Sequence, residues 1–361
     1  MIKPGEFLIT QWLFSTAAGN YDIDLAESCA QLQNVADLSM ETNMLLDYGP
    51  QRGRADGREL VARQYGGTCT ADDVMLTFGS QESLYVFYRT FLSAGDHVIT
   101  TVPGWQQSWE IPRACGCEVS MMPWTPGEPF DAGALADLVR PETRLLVLCS
   151  PGNPSGCVLT DEEWSAIVSV LDRTGIWLLS DEEFLTDLSR SAIWKYPRSL
   201  SVSSLSKMYG LPGLRLGWAA VSSDEGRQAM AQMVNYKRYI SLANSPVCEH
   251  LGVGVLADFG NQSERYQGLL ASGIDYVTSF ADSFRDLVTL VPPQGTPYAW
   301  FNLHAPITSM ELAQRLLAEH RTLIMPAEVF GTEMGFRFSY ARPAEVMEAG
   351  VDRFSTLLKE L

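Results

Sequence analysis

Nowhere in these 361 residues is there a run approaching the roughly 20 apolar residues that a helical membrane span requires. Basic charge is scarce: 26 Lys and Arg stand against 43 Asp and Glu, a formal net charge of −17 that would repel a phosphate polymer. Nucleic acid is therefore not expected as a partner, whereas a small substrate remains possible because a site can be locally positive. The seven cysteines include no CxxC pair, and Cys115 and Cys117 stand too close for half of a usual zinc site. Reduced thiols in a cytoplasmic enzyme, with no metal, are the expectation. Residues 1 to 14 hold one lysine and scattered apolar residues but no uninterrupted apolar stretch or small-residue cleavage site, so no secretory leader is expected. There is no repeat and no low-complexity tract. What remains is a globular composition, 46% hydrophobic and 19% charged. The length suits one large domain with a smaller companion.

The most informative stretch runs from Ser201 to Trp218, SVSSLSKMYGLPGLRLGW. Its first residues, Ser201 to Leu205, suit a buried strand. Lys207 follows, then a turn punctuated by Gly210, Pro212 and Gly213, then Arg215 and another apolar run. The hydroxyls of Ser204 and Ser206 and the fork of Arg215 are donors suited to a phosphate dianion. A desolvated lysine amine among other cations loses its proton readily and forms an imine with an aldehyde. A phosphate cradle around an imine-forming lysine is what pyridoxal phosphate requires.

Other segments carry similar hints. Asp73–Phe78 reads as a strand, and Gly79-Ser80-Gln81 opens the helix after it, presenting free N–H groups to an anion, although Ser80 alone would also serve as an N-cap. Arg144–Cys149 and Ile176–Ser180 are unbroken apolar strands of the kind buried on both faces of a parallel sheet. The first ends in Pro151-Gly152-Asn153-Pro154, the second in Asp181-Glu182-Glu183-Phe184. A carboxylate at the C-terminal edge of such a sheet is where open α/β folds keep ligand contacts. Arg337 lies in an otherwise apolar strand, a costly place unless it is paired, and can clasp a carboxylate bidentately. The acids Asp22, Asp24 and Glu27 near the N-terminus are expected to form a solvated face.

Taken in order, these segments resemble the class I/II aminotransferases, the fold-type I pyridoxal phosphate enzymes, from about Tyr48 to the end. That resemblance implies an α/β fold: a large domain with a mostly parallel, seven-stranded type of sheet and a smaller α/β C-terminal domain. Residues 1–45 would form an N-terminal arm and part of the small domain, 46–260 the large cofactor domain and 261–361 the small domain. It implies pyridoxal 5'-phosphate held by Lys207, with Gly79, Ser80, Gln81, Ser204, Ser206 and Arg215 around its phosphate. Trp105 would stack on the ring, an arrangement worth about 0.5–1.5 kcal/mol beyond burial. Asp181 would face the ring nitrogen, Asn153 the phenolic oxygen, and Arg337, with Asn153, the substrate carboxylate. Tyr48 would reach the phosphate of the partner subunit, making a homodimer with a shared active site. Trp109 is expected in the core or the substrate wall.

One position departs from the family pattern. Three residues after the aspartate, where most aminotransferases carry tyrosine, stands Phe184. Phenylalanine there, with the loosely similar Trp12…Asp24 stretch, is also similar to the offshoot of the family that includes capreomycidine synthase. Such enzymes eliminate, cyclise or oxidise arginine-like amino acids. Aminotransfer is thus the main expectation, with a lyase, cyclase or oxidase in specialised metabolism as the alternative. A pyridoxal-sensing regulator on the same fold would need a DNA-binding extension and a basic surface, and neither is present.

Overall fold

The computed structural model describes residues 3–39, 43–333 and 335–361. In chain order the strands are β1 (Ile23–Asp24), β2 (Val74–Thr77), β3 (His97–Val102), β4 (Glu118–Pro123), β5 (Thr143–Cys149), β6 (Trp177–Asp181) and β7 (Ser199–Ser204). They continue as β8 (Gly217–Ala220), β9 (Val288–Val291), β10 (Tyr298–Leu303), β11 (Thr322–Leu323), β12 (Met325–Pro326) and β13 (Phe336–Ser339). Seven of them form one sheet in the order β2-β8-β7-β6-β5-β3-β4. It is parallel from β4 through β7, and β8 runs antiparallel to both its neighbours. Apolar runs such as Leu145–Leu148 and Leu178–Leu179 are buried because helices cover both faces.

The parallel arrangement brings the carboxyl ends of β3, β5, β6 and β7 to one edge. The chain builds outward from β3 to β4 and then returns to β5 on the other side of β3, so the strand order reverses between β3 and β5, where such sheets open a crevice. Helix Ser80–Phe91 starts at that edge.

A second, antiparallel sheet has the order β12-β13-β10-β9 and packs against helices Phe259–Ser283, Ser309–His320 and Ala344–Leu358. Its core is aromatic: Phe280 lies with its ring 5.0 to 5.9 Å from those of Phe301, Phe338 and Phe354. The N-terminal segment is tied to this unit. β1 pairs in parallel with β11, and the buried Trp12 donates its indole N–H to the Ile324 carbonyl (2.9 Å).

Strand and helix ends differ from the sequence reading by a residue or a few, as terminal hydrogen bonds fray. Three elements had no signal strong enough to place them. β4 is a partly exposed edge strand with mixed polarity, β9 has four residues, and helix Pro246–Ala257 has an apolar, glycine-interrupted sequence with little periodicity. Among the described residues no helix is long and apolar enough to cross a membrane.

Candidate active site

The anion cradle is built from backbone first. β2 leads to Gly79, whose φ of +72° is readily available only to glycine, and this bend starts helix Ser80–Phe91. A Cβ on Gly79 would overlap the Arg215 guanidinium, and one on Gly217 would overlap the Ser80 backbone nitrogen. Both glycines thus let an arginine approach the first turn of a helix, whose N–H groups have no partners within it. Arg215 itself donates to the Pro212 carbonyl (2.9 Å) and, at 3.5 Å, to the Ser206 hydroxyl. Helix N-terminus, hydroxyl and guanidinium converge as an anion site requires.

Lys207 follows β7 and Asp181 ends the adjacent β6. The Lys207 amine donates to the Ser28 hydroxyl (2.9 Å) and lies 3.7 Å from a Glu27 carboxylate oxygen. Among the described residues the Asp181 carboxyl accepts only from the Glu183 N–H (3.2 Å), and burial, reinforced by the charge of Glu183, pushes it up to about 7. A buried carboxylate in that state is one for which a cation is missing. Phe184, three residues on, stands edge-on to the Tyr298 ring (5.0 Å) and 6.0 Å from the Lys207 amine. It has no hydroxyl to offer.

Arg337 comes from β13 of the other sheet. It is 2% exposed and sits against the rings of Tyr298 (4.9 Å) and Phe330 (5.1 Å). It donates to the Asn153 side-chain oxygen (2.6 Å) and the Ala26 carbonyl (2.5 Å), leaving its Nε without a partner among the described residues. Nor does any carboxylate of those residues lie within the 4.0 Å of an ion pair to it. The N-terminal arm closes the site. Gln106 accepts from the Leu8 N–H (2.9 Å) and donates to the Glu6 carbonyl (2.6 Å), while Phe7 meets Trp105 edge-to-face at 5.2 Å.

One cavity of about 380 Å³ brings together Ser80, Gln81, Trp105, Asn153, Asp181, Phe184, Ser206, Lys207, Arg215 and Arg337. Gly79 and Ser204 stand behind its wall, Gly79 against Arg215 and Ser204 with its hydroxyl donated to Glu183 (2.8 Å). Tyr48 is apart from the cavity and 82% exposed. Trp109 is buried, packed near Gly104.

The acidic N-terminal residues divide, which corrects the expectation of a uniformly solvated face. Asp22 is at the surface with Arg321 and Arg353, but Glu27 lines the cavity. Burial pushes the Glu27 carboxyl up, yet Lys207 and Arg337 outweigh it and hold it below its usual range. Sequence reasoning also gave no site role to Ser28, Glu183 or the arm residues Ile9, Leu13 and Phe14, all in the cavity wall. The available signal was a run of three acids at the end of a buried strand.

The model of the family "aminotransferase class I and II" matches residues 14–354. The chain belongs to this family. Among its relatives, this aminotransferase-family chain is 30% identical to a valine–pyruvate aminotransferase of Mycobacterium tuberculosis over 339 residues, 87% of this chain and 84% of that one. Capreomycidine synthase of Streptomyces vinaceus is 28% identical over 303 residues, 78% of this chain and 73% of that one. Two solved structures share the fold. A PLP-dependent aminotransferase from Streptococcus suis gives a TM-score of 0.92 at 23% identity, covering 99% of both chains. The PLP-dependent cyclase OrfR gives 0.89 at 24% identity, covering 100% of this chain and 98% of that one. The aminotransferase family thus includes both a transaminase and a cyclase among the relatives of this chain. Fold type I, with its large mostly parallel sheet and smaller α/β unit, is its architecture.

Proposed function

We propose that this enzyme uses pyridoxal 5'-phosphate to act at Cα of an α-amino acid, with Lys207 holding the cofactor and Asp181 facing its ring nitrogen. The observation that carries the reading is the sharing of one cavity by the Lys207 amine and a buried, uncompensated Asp181, between an anion cradle and an unpaired arginine. The residues fit the group. Ser80, Gln81, Ser206 and Arg215 suit its phosphate, Trp105 its ring face and Asn153 its phenolic oxygen. Bound there, the cofactor supplies an electron sink for the carbon that bears the amino group.

The chain's own residues do the rest. Arg337, preset between two aromatic rings, fixes the substrate carboxylate with its fork. That places the Cα proton for the Lys207 amine, once freed, to take as general base, and to return at one carbon or another. Phe7, Ile9, Leu13 and Trp105 exclude water. Asp181 keeps a positive charge at the ring nitrogen favourable.

Aminotransfer is the main reading. Phe184, and the likeness to capreomycidine synthase and to a cyclase, favour a second: elimination, cyclisation or oxidation of an arginine-like amino acid. Product that depends on an added keto acid supports the first; ammonia with a keto acid, or a cyclic product, without any acceptor supports the second. The common premise has its own test. Borohydride added to cofactor-loaded protein should fix a pyridoxyl group on Lys207, found by peptide mapping; its absence there would overturn the reading.

We also propose a cytoplasmic homodimer with Tyr48 serving the partner's phosphate site. Exposed apolar residues support it: Leu45, Leu46, Tyr48 and Tyr239 are each more than 70% exposed.

A further inference from the structure

Two glutamates come directly after Asp181, and the fold treats them in opposite ways. Glu182 is 1% exposed with both oxygens satisfied. Its Oε1 accepts from the Ser180 hydroxyl and the Ala192 N–H, both at 2.9 Å, and its Oε2 from the Ser201 hydroxyl at 2.6 Å. That pattern is a structural brace between β6, β7 and the loop beyond. Glu183 is nearly as buried, at 8% exposed, but only its Oε2 is satisfied, by the Ser204 hydroxyl at 2.8 Å. Its Oε1 is buried without a hydrogen-bond partner among the described residues. Glu183 lines the Lys207 cavity, and its own N–H donates to Asp181, so a tight turn sets two carboxylates at one wall.

Such an arrangement is unfavourable until a cation arrives. The cavity's own cations are engaged elsewhere. Lys207 is beside Ser28 and Glu27, Arg215 belongs to the anion cradle, and Arg337 is held by Asn153 and Ala26. Phe184 supplies no polar group. The positive charge must therefore come with the occupant. We propose that Glu183 is a second cofactor-facing carboxylate that acts with Asp181 to hold positive charge on bound pyridoxal phosphate, raising the proton affinity of its linkage to Lys207. The inference rests on the reading of this cavity as the cofactor site, and makes Glu183 a positioning residue.

The other charged and titratable groups around it are Asp181 on β6, Lys207 and Arg215 after β7, Glu27 on the arm and Arg337 on β13. Cys149 at the end of β5, Tyr88 on helix Ser80–Phe91 and Tyr298 on β10 are all pushed well up by burial and remain neutral. The charge of Glu183 is also the second cause, after burial, of the raised carboxyl of Asp181.

The test is the pH midpoint of the visible band of cofactor-loaded protein without substrate. Glu183→Gln keeps the shape and an acceptor for Ser204 but removes the charge. A cationic, protonated form is then less favoured, so the midpoint should fall by about one pH unit, roughly a tenfold loss of proton affinity. Glu183→Asp, which restores the charge, should recover most of that shift. Glu182→Gln, where it folds, should lower the melting temperature and leave the midpoint in place. A folded Glu183→Gln protein, checked by circular dichroism and melting, with the wild-type midpoint overturns this inference and leaves the cavity reading intact. Wild-type protein with no visible band at all in excess cofactor overturns the cavity reading itself.

Discussion

Arg337 is the residue whose surroundings say most about its role. Its guanidinium is desolvated, flanked by Tyr298 and Phe330, and oriented by Asn153, yet no carboxylate among the described residues has been provided for it. Burial accordingly lowers its proton affinity. A substrate carboxylate completes the set. Arg337→Lys keeps the charge but loses the two-pronged geometry, and a charge-assisted hydrogen bond is worth about 1.5–3 kcal/mol. The apparent KM for the amino acid should rise roughly ten- to hundredfold, in steady-state kinetics at saturating cofactor. Asp181 makes a second residue-level prediction, for protein stripped of cofactor. Its carboxyl is raised to about 7 in the folded chain, from about 3.9 when unfolded. The folded state therefore binds that proton more tightly, and the resulting stability is present at low pH and lost as pH climbs through about 7. Asp181→Asn lacks this dependence. Its melting temperature relative to the wild type should increase between about pH 5 and about pH 8, measured on the two stripped proteins side by side. A gap that stays constant would mean Asp181 ionises without penalty.

At the scale of single elements, the start of helix Ser80–Phe91 and the turn bearing Arg215 form one device. Gly79→Ala would place a methyl group where Arg215 now lies, at a φ of +72° where a side chain costs about 1–2 kcal/mol. The guanidinium is the free end of a flexible side chain and can move aside, so the fold should survive while the cradle opens. Retention of pyridoxal phosphate on a desalting column should drop at least tenfold, with an unchanged circular dichroism spectrum. This is also the scale at which the sequence was most and least informative. β5, β6 and β7 were legible because a strand buried on both faces is a run of apolar residues, and the turn after each run is short and chemically distinctive, bearing Asn153, Asp181 or Lys207. Glu27 and Glu183 were not. The side of a chain on which a glutamate lies depends on tertiary packing that leaves no local pattern. Glu182 and Glu183, adjacent and identical in type, have opposite surroundings, and nothing in the sequence separates them. β4 escaped for a related reason: an edge strand partly open to solvent has no need of a continuous apolar face.

On the scale of the whole molecule, the arm and β1 attach to the C-terminal unit while the cofactor-facing residues come from the large sheet. Ala26, Glu27 and Ser28 leave β1 and reach Arg337 and Lys207, so the two units meet at the cavity rather than merely beside it. The remaining candidate, Tyr48, is distant from its own chain's cavity and largely exposed, which suits a residue that acts in a second copy. Beside the cradle a larger recess of about 560 Å³ is lined by Phe78, Tyr85, Ile240 and Arg215, an apolar surface with the phosphate-facing arginine in its wall. If Tyr48 serves the partner's site, two individually disabled variants should complement each other. Lys207→Ala lacks the cofactor lysine, and Tyr48→Ala lacks the phosphate contact. In a mixed dimer one site carries both defects and the other carries neither. Random reassortment makes half the dimers mixed, so activity should recover to about a quarter of the wild-type level. If Tyr48 acted within its own chain, each site would keep one defect and mixing would restore nothing. Activity measured after denaturing and refolding the two variants together, against each refolded alone, distinguishes the two arrangements.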